Sequence, residues 1–485
     1  MLNFKETTPD LRQRSIVGCT AMAGFVYQFE ANLVNVALPT ISAQLHITTY
    51  YASLIPIVYI IGTVTVLIST GILGGRFGLK RIFILSIALM TLGTVICGMA
   101  ACLPVLLGGR LIQGVGAGGM AALGYAIIPA CLPSSLTGYG YGRLSMAAGM
   151  GMLAGNPAGG ILSQFLPWQF IFLATVPFML ALIAFSLRNL PDDSKKIGEK
   201  PEKLSLIDSL LFGFSAASAI IFLSFGSEFG FASTPIMGIL VVAAVLTVLL
   251  IIRGRRGKIS FLPKEIITNM MFLVSVLGIV VERGVMGGIV FLMPFYLTAL
   301  CALPPAFSSV LMLSYATGFV ISAPFSGTMA DKGQSGNMLF TAALIGSCAC
   351  ALFFFYSPSA HWVYALIFLV VIGTADGIYT PSANKTAVGS IPGAWKQHAA
   401  VFLPLAVNVG NALGVSFFET VFTLPFPRGE VILTGIYGSG ITDMVVAKGF
   451  QLAFLTGAVL WTGILFCIIF SRKRKATAIH VETQR

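Results

Sequence analysis

The feature that most limits what this chain can fold into is a recurring one. Apolar runs long enough to cross a lipid bilayer alternate with short polar breaks from one end to the other. They fall at about 15–39, 50–72, 82–102, 104–128, 141–163 and 168–187, then at 206–226 and 233–252, then at 268–298, 306–329, 337–356, 361–382, 398–424 and 448–470. At about 1.5 Å per residue, roughly twenty residues carry a helix across the hydrocarbon. In lipid every backbone N–H and C=O must be satisfied within the protein, and runs of this length do so as helices. The expectation is an all-α membrane protein of about fourteen transmembrane helices grouped six, two and six. Residues 1–187 would form one six-helix bundle and 259–471 another. Residues 188–258 would be a linker holding two additional helices, and 472–485 a basic tail.

Composition agrees. Hydrophobic residues are 56% and charged residues 9% of the chain, where soluble domains carry about 25% charged residues. The net charge of +12 could suggest nucleic acid, but no nucleic-acid-binding motif accompanies it. The basic residues cluster between apolar runs: Arg12, Arg14, Arg76, Lys80, Arg81, the linker RNLPDDSKKIGEKPEK (188–203), the run RGRRGK (253–258), Lys264, Lys332, Lys385, Lys396 and RKRK (472–475). The alternate breaks hold none, except the long 425–447 segment with Arg428. Positive charge collects on the cytoplasmic side, so both termini are expected there. Residues 1–14 are polar and mixed in charge, with no cleavage site after the first run, so no removable signal is expected. The eight cysteines lie in or beside apolar runs without metal-ligand spacing and read as small packing residues.

The two groups of six repeat one another. After the second run of the first group comes GILGGRFGLKR (71–81), and after the second run of the second group SGTMADKGQSG (326–336). Gly71-x3-Gly75-Arg76 matches Gly327-x3-Asp331-Lys332. Such internal symmetry accompanies transporters whose halves rock about a site at mid-membrane.

On these residues the chain resembles the 14-helix drug:proton antiporter branch of the major facilitator superfamily. FEANLVNVALP (29–39) is similar to the end of that branch's first helix, with Glu30 where the family usually has Asp and Asn32 where it usually has Thr. Gly71, Arg76, Gly78, Lys80 and Arg81 match the superfamily's loop motif, but Gly75 stands in place of its Asp. The second copy keeps the acid as Asp331, followed by Lys332. RLIQGVGAG (110–118) matches an Arg-x-x-Gln-Gly-x-Gly motif in span 4. Gly142, Gly151, Gly155, Gly159 and Gly160 match the antiporter motif of span 5, with its Pro one place late as Pro157. Residues 296–327 resemble the passage from span 9 to span 10.

The resemblance implies that the first and fourth helices of each half line a central cavity. Six charges lie more than a turn from either end of a span: Glu30, Arg110, Glu282, Arg283, Asp376 and Glu419. All but Glu419 fall on those four helices. Charge inside a span costs about 2.5–3.5 kcal/mol on insertion scales and is tolerable beside a watered cavity. Glu30, Arg110, Asp376 and Glu282 are the candidates for proton coupling, Glu30 first, with an ion pair expected between Glu30 and Arg110. Glu282 and Arg283 point about 100° apart, so one would line the cavity while the other meets a neighbouring helix. Tyr27, Asn32, Gln113, Arg283 and Asn408 are the candidates for contact with a small-molecule substrate, with Gln28, Asn35 and Asn411 offering further hydrogen bonds. On span 5, Gly142, Gly149 and Gly160 share one face, while Gly151, Gly155 and Gly159 lie opposite, so two helices could approach its backbone closely.

These residues predict a secondary transporter, not an enzyme, exporting small amphipathic compounds from a bacterial cell across the inner membrane in exchange for protons. No cofactor is expected, and the partners would be the substrate and membrane lipid, with no nucleic acid, around a monomer. With no G-x4-G-K-[ST] loop to bind ATP, the ion gradient would supply the energy. Two alternatives stay open: a proton-coupled importer or dedicated metabolite or siderophore exporter on the same fold, and a non-transporting membrane sensor or enzyme.

Overall fold

The computed structural model describes residues 9–47, 49–192, 205–230, 233–255, 264–356, 361–425 and 443–483, and every regular element among them is a helix. Parts of the expected linker (193–204), of the basic run (256–258) and of the long 425–447 segment (426–442), with the last two residues, lie outside the described residues. So do the side chains of Asn35, Gly160 and the basic tail from 471 onward.

The first helices are α1 (Leu11–Gln44), α2 (Thr49–Phe77), α3 (Leu79–Gly98), α4 (Leu103–Cys131) and α5 (Thr137–Phe165). Asp10 starts α1 with a reciprocal cap. Its side chain accepts from Gln13 N, and the Gln13 side chain accepts from Asp10 N. The expected sixth span is broken, as α6 (Gln169–Leu173) and α7 (Val176–Asn189) with Pro177 at the second start. Then come α8 (Leu206–Phe229), α9 (Thr234–Arg255) and the short α10 (Lys264–Ile267). The second group is α11 (Met270–Ala299), α12 (Pro305–Met329), α13 (Ser335–Tyr356), α14 (Trp362–Gly389), α15 (Lys396–Ala400), α16 (Phe402–Thr423) and α17 (Asp443–Thr483). Here too the helices depart from the expected runs: the one at 398–424 is interrupted at Val401, and the last continues well past 470.

Among the described residues, ten stretches are both long and apolar enough to cross a membrane. One of them, Phe307–Phe355, holds two helices, α12 and α13, separated by a kink in the 330–334 turn, where Gly333 leaves helical geometry. α1 and α5 are long enough, at 34 and 29 residues, but their charged, polar and glycine positions leave them outside those ten.

Contacts sort the helices into two groups, α1–α7 and α11–α17, each packed mainly on itself. α8 lies against α2 of the first group and α16 of the second, and α9 packs on α8. Glycines set the closest approaches. A Cβ on Gly114 or Gly118 of α4 would lie 2.3 or 2.2 Å from a carbonyl oxygen of α2, at Tyr59 or Thr63. The second group repeats this: a Cβ on Gly373 of α14 would lie 2.0 Å from the Tyr315 carbonyl oxygen and one on Gly377 2.6 Å from that of Phe319, both on α12. Without a strong hydrophobic drive between helices in lipid, such backbone contact supplies the dispersion energy that holds them together.

α5 is thin on both sides. A Cβ on Gly151, Gly155 or Gly159 would lie 2.3, 2.6 or 2.5 Å from the carbonyl of Phe25, Phe29 or Leu33 on α1. On its other face, one on Gly142 would lie 2.8 Å from Ala323 O, and one on Gly149 2.7 Å from the Phe319 ring, both on α12 of the other group. Pro157 sits inside α5 between these contacts. Gly151→Leu is therefore expected to destabilise the protein by about 1–3 kcal/mol through overpacking, seen as a lower melting temperature in detergent. Gly108→Ala, with nothing within 4 Å of the added carbon, should melt like the parent.

Candidate functional site

A cavity of about 180 Å³ lies between the two groups of helices. α1 contributes Tyr27 and Gln28, α4 Tyr125, and α5 Ser145. From the second group come Arg283 (α11), Tyr315 (α12), Asp376 and Thr380 (α14), and Asn408 and Asn411 (α16). Of the residues expected here, Tyr27, Arg283 and Asn408 are in the wall, joined by Asp376. Asn32 and Gln113 are not. Asn32 turns its amide back onto its own helix, donating to Gln28 O at 2.7 Å, and its Cβ packs under Gly155. Gln113 is fully buried in a separate network. α5, α12 and α16 share the wall with the four helices expected to form it.

That separate network surrounds Glu30, which is fully buried and not in the cavity wall. Its Oε1 accepts from Thr94 Oγ1 at 3.0 Å, from Thr175 Oγ1 at 3.4 Å and from Gln113 Nε2. Gln113 also donates to Thr94 Oγ1 at 2.8 Å. Arg110, one turn before Gln113 on the same face of α4, donates from Nη1 to Gln113 Oε1 at 2.5 Å and from Nε to Ile55 O at 3.3 Å. Its guanidinium lies 4.3 Å from the Tyr59 ring centre, a cation–π contact. The expected direct pair of Glu30 with Arg110 is replaced by a relay: Gln113 stands between them and hydrogen-bonds to both. The second carboxylate oxygen, Oε2, is buried with no hydrogen-bond partner among the described residues, a costly condition for a polar atom in a dry interior.

The second group holds the other network, and this one reaches the cavity. Arg283 donates from Nη2 to Asp376 Oδ1 and Thr380 Oγ1. Tyr315 OH donates to Asp376 Oδ2, and Thr380 Oγ1 to Asp376 Oδ1 at 2.8 Å. Asp376 has no exposed surface, and Arg283 keeps 13%. Glu282 points away from the cavity and is fully buried, its Oε2 3.2 Å from Arg283 Nε but not aligned for a hydrogen bond. Arg283 is thus the neighbour that lines the cavity and Glu282 the one that does not. Tyr315, Thr380 and Tyr125 are wall residues that sequence reasoning passed over. The matching place of Tyr59 and Tyr315, each under a paired glycine of the fourth helix of its group, was the available signal. Glu419, on α16, lies outside the cavity wall.

At the end of the bundle where the basic breaks collect, the two groups meet. Asp331, in the 330–334 turn after α12, accepts from Gly138 N at 2.8 Å and Tyr139 N at 2.6 Å, at the start of α5. Lys385 of α14 donates to Asp331 at 2.5 Å and to Ala330 O at 2.9 Å. Lys332 is exposed. In the first copy, Gly71 packs on Val401, a Cβ there falling 2.5 Å from Cγ2, and one on Gly75 would lie 3.4 Å from Gln397 Nε2 and His398 Nε2. Gly78 takes a φ of +97° between α2 and α3, open to glycine at little cost. In the second copy Gly333 makes the turn at +81°, one place earlier in the repeat. Arg76 is half-buried and Arg81 exposed. Lys80 bridges to Asp192 at 2.9 Å, and that hydrogen bond holds the Asp192 carboxyl below its usual range.

Comparison with known proteins agrees with this architecture. The Major Facilitator Superfamily sequence model matches residues 20–415. The riboflavin transporter RibZ of Clostridioides difficile is 26% identical over 96% of this chain and 99% of its own length. The methylenomycin A resistance protein of Bacillus subtilis is 23% identical over 91% of the chain and 93% of its own. A putative multidrug resistance protein, MdtD of Klebsiella pneumoniae, is 22% identical over 93% of each. The crystal structure of the human organic anion transporter MFSD10 superposes with a TM-score of 0.64 at 12% identity, covering 95% of this chain and all of that one. From two packed groups of helices around a polar cavity, and a family match over most of its length, the chain belongs to the major facilitator superfamily of membrane transporters.

Proposed function

We propose that this protein exports small amphipathic organic molecules across the bacterial inner membrane in exchange for protons. In this reading it has fourteen spans: two six-helix halves, 1–187 and 259–471, with two further spans in 188–258. Both termini and the 472–485 tail are cytoplasmic, and a single copy works with no cofactor beyond the coupling proton. The observation that carries the reading is Glu30, an acid sealed inside a membrane helix with one carboxylate oxygen unpartnered among the described residues and with Gln113 linking it to Arg110. A proton taken up there discharges the acid, loosens the relay to Arg110 and lets α1 and α4 shift against each other. Tyr27 and Gln28 on α1 and Tyr125 on α4 are part of the cavity wall, so such a shift changes how a substrate is held. Each charge that moves across the membrane potential supplies about 2.3 kcal/mol per 100 mV.

The full-length similarity to the riboflavin transporter favours a second reading, a carrier dedicated to one metabolite. Purified protein in proteoliposomes separates the two. Under an imposed pH gradient, export coupling moves several unrelated amphipathic dyes against the direction of the protons, and a protonophore stops it. A dedicated carrier moves one compound class only. Movement of solute in the same direction as the protons, or none at all, refutes antiport.

A further inference from the structure

We propose that Arg283 makes the cavity a receptor for molecules carrying an anionic or strongly hydrogen-bond-accepting group on an apolar, planar body, an assignment of substrate class that rests on the transport reading above. Among the described residues the charged side chains in the cavity wall are Arg283 and Asp376. They are not equally available. Asp376 has no exposed surface, and both of its oxygens already accept, Oδ1 from Arg283 and Thr380 and Oδ2 from Tyr315. A cation entering the cavity finds no open carboxylate. Arg283 spends Nη2 on Asp376 and Thr380 and turns Nε towards Glu282. Its Nη1 donates to nothing among the described residues, and the side chain alone of the three charged groups keeps some exposure.

Two effects compete. Two acids and one base sum to a negative charge, which at long range favours a cation. At contact, however, neither acid has exposed surface while the Arg283 side chain keeps some, and the charge a ligand touches is positive. A planar N–H edge matches a carboxylate, a sulfonate or the carbonyl of an imide. The remaining polar wall, with Tyr27, Gln28, Tyr125, Ser145, Asn408 and Asn411, is uncharged and serves donors and acceptors alike, so it orients without deciding sign. Phe319, whose ring centre is 5.9 Å from the Arg283 guanidinium carbon, with Met120 and Met152, gives a flat body an apolar surface beside that edge.

The test uses full-length protein in detergent and two dyes of one ring system and opposite charge, fluorescein and rhodamine 6G, followed by fluorescence anisotropy. Wild type should bind fluorescein roughly tenfold more tightly than rhodamine 6G, the scale of one charge-assisted hydrogen bond. Arg283→Gln should erase that preference, and Arg283→Lys should keep part of it. Asp376→Asn leaves Glu282 as the one acid beside the guanidinium and should tighten fluorescein binding several-fold, whereas a merely structural pair would lose binding of both dyes. A wild-type preference for rhodamine 6G, equal binding, no binding of either dye, or a preference that survives Arg283→Gln each overturns the assignment. Because these measurements use no gradient, they fail independently of the transport reading. Gradient-driven export of other solutes without the dye preference removes the substrate class alone. The dye preference without gradient-driven movement removes the transport reading alone.

Discussion

Glu30→Gln is expected to abolish pH-driven transport while leaving the protein folded and able to bind its ligand. The substitution keeps the shape of the side chain and an oxygen to accept from Thr94, Thr175 and Gln113, so the network around α1 and α4 persists. It removes the site where a proton can be gained or lost. Driven transport should fall by about 100-fold or more, a change of roughly 2.7 kcal/mol in the limiting barrier. Substrate exchange without a gradient should continue, and its rate should lose its dependence on pH. The rival explanation is that Glu30 only braces α1 against α3 and α4. A brace predicts the opposite pattern, with lower thermal stability and all transport activities reduced together. Gradient-driven and exchange fluxes, measured on the same proteoliposomes beside a melting curve, separate the two. Undiminished driven flux in Glu30→Gln would move the coupling role to Asp376 or Glu282.

Much of this architecture can be read from residue order, because a bilayer imposes a length and a polarity that few sequences meet by chance. The glycines of α5 could be placed by angle alone. A helix turns by a fixed step, so Gly151, Gly155 and Gly159 must share a side, and they are the three that touch the α1 backbone. Angle alone does not say what a polar side chain meets. Asn32 and Gln28 are one turn apart on α1, yet Gln28 lines the cavity while Asn32 bonds back to its own helix. Asparagine makes that local bond readily wherever a neighbouring backbone leaves little room. Gln113 illustrates a second limit. Spacing places it beside Arg110 but cannot show that it reaches across to α1 and interrupts the direct ion pair, because that depends on how closely α1, α3 and α4 approach. Tyr315 is one of many aromatic residues, most of which pack against lipid or core, and it is its place matching Tyr59 in the repeat, with its hydrogen bond to Asp376, that marks it out. The break at Val401 carries no strong punctuation in the sequence. Thr175 before Pro177 shows where α7 starts, but only the fold shows that the same Thr175 bonds to Glu30.

The second large effect is expected at the basic end, where one half of the protein caps a helix of the other. The residue before α5, Leu136, offers no side-chain cap, and the free N–H groups of Gly138 and Tyr139 are met instead by Asp331 from across the interface. A carboxylate at a helix start gains both the hydrogen bonds and the helix dipole. The backbones lie so close here that a Cβ on Gly327 would fall 2.2 Å from Gly138 O, so the contact holds only while the halves are closed at this end. Asp331→Asn removes the charge and leaves Lys385 without its ion-pair partner. Losing such a cap costs about 0.5–2 kcal/mol, which shifts a two-state equilibrium between closed and open by roughly 2- to 30-fold. Spin labels at Arg188 and Ala394, both exposed and on opposite halves at this end, should show a larger fraction of long distances in Asp331→Asn. The first-half copy lacks the matching acid, and that gives a converse test. The Cβ introduced by Gly75→Asp would lie 3.4 Å from the Gln397 amide and the His398 ring, at the short helix α15, and the carboxylate it carries should shift the same label distances towards the closed state. The two substitutions therefore have opposite expected signs. If both move the equilibrium in one direction, or neither moves it, the contact at Asp331 is packing that the halves happen to share and does not hold them closed.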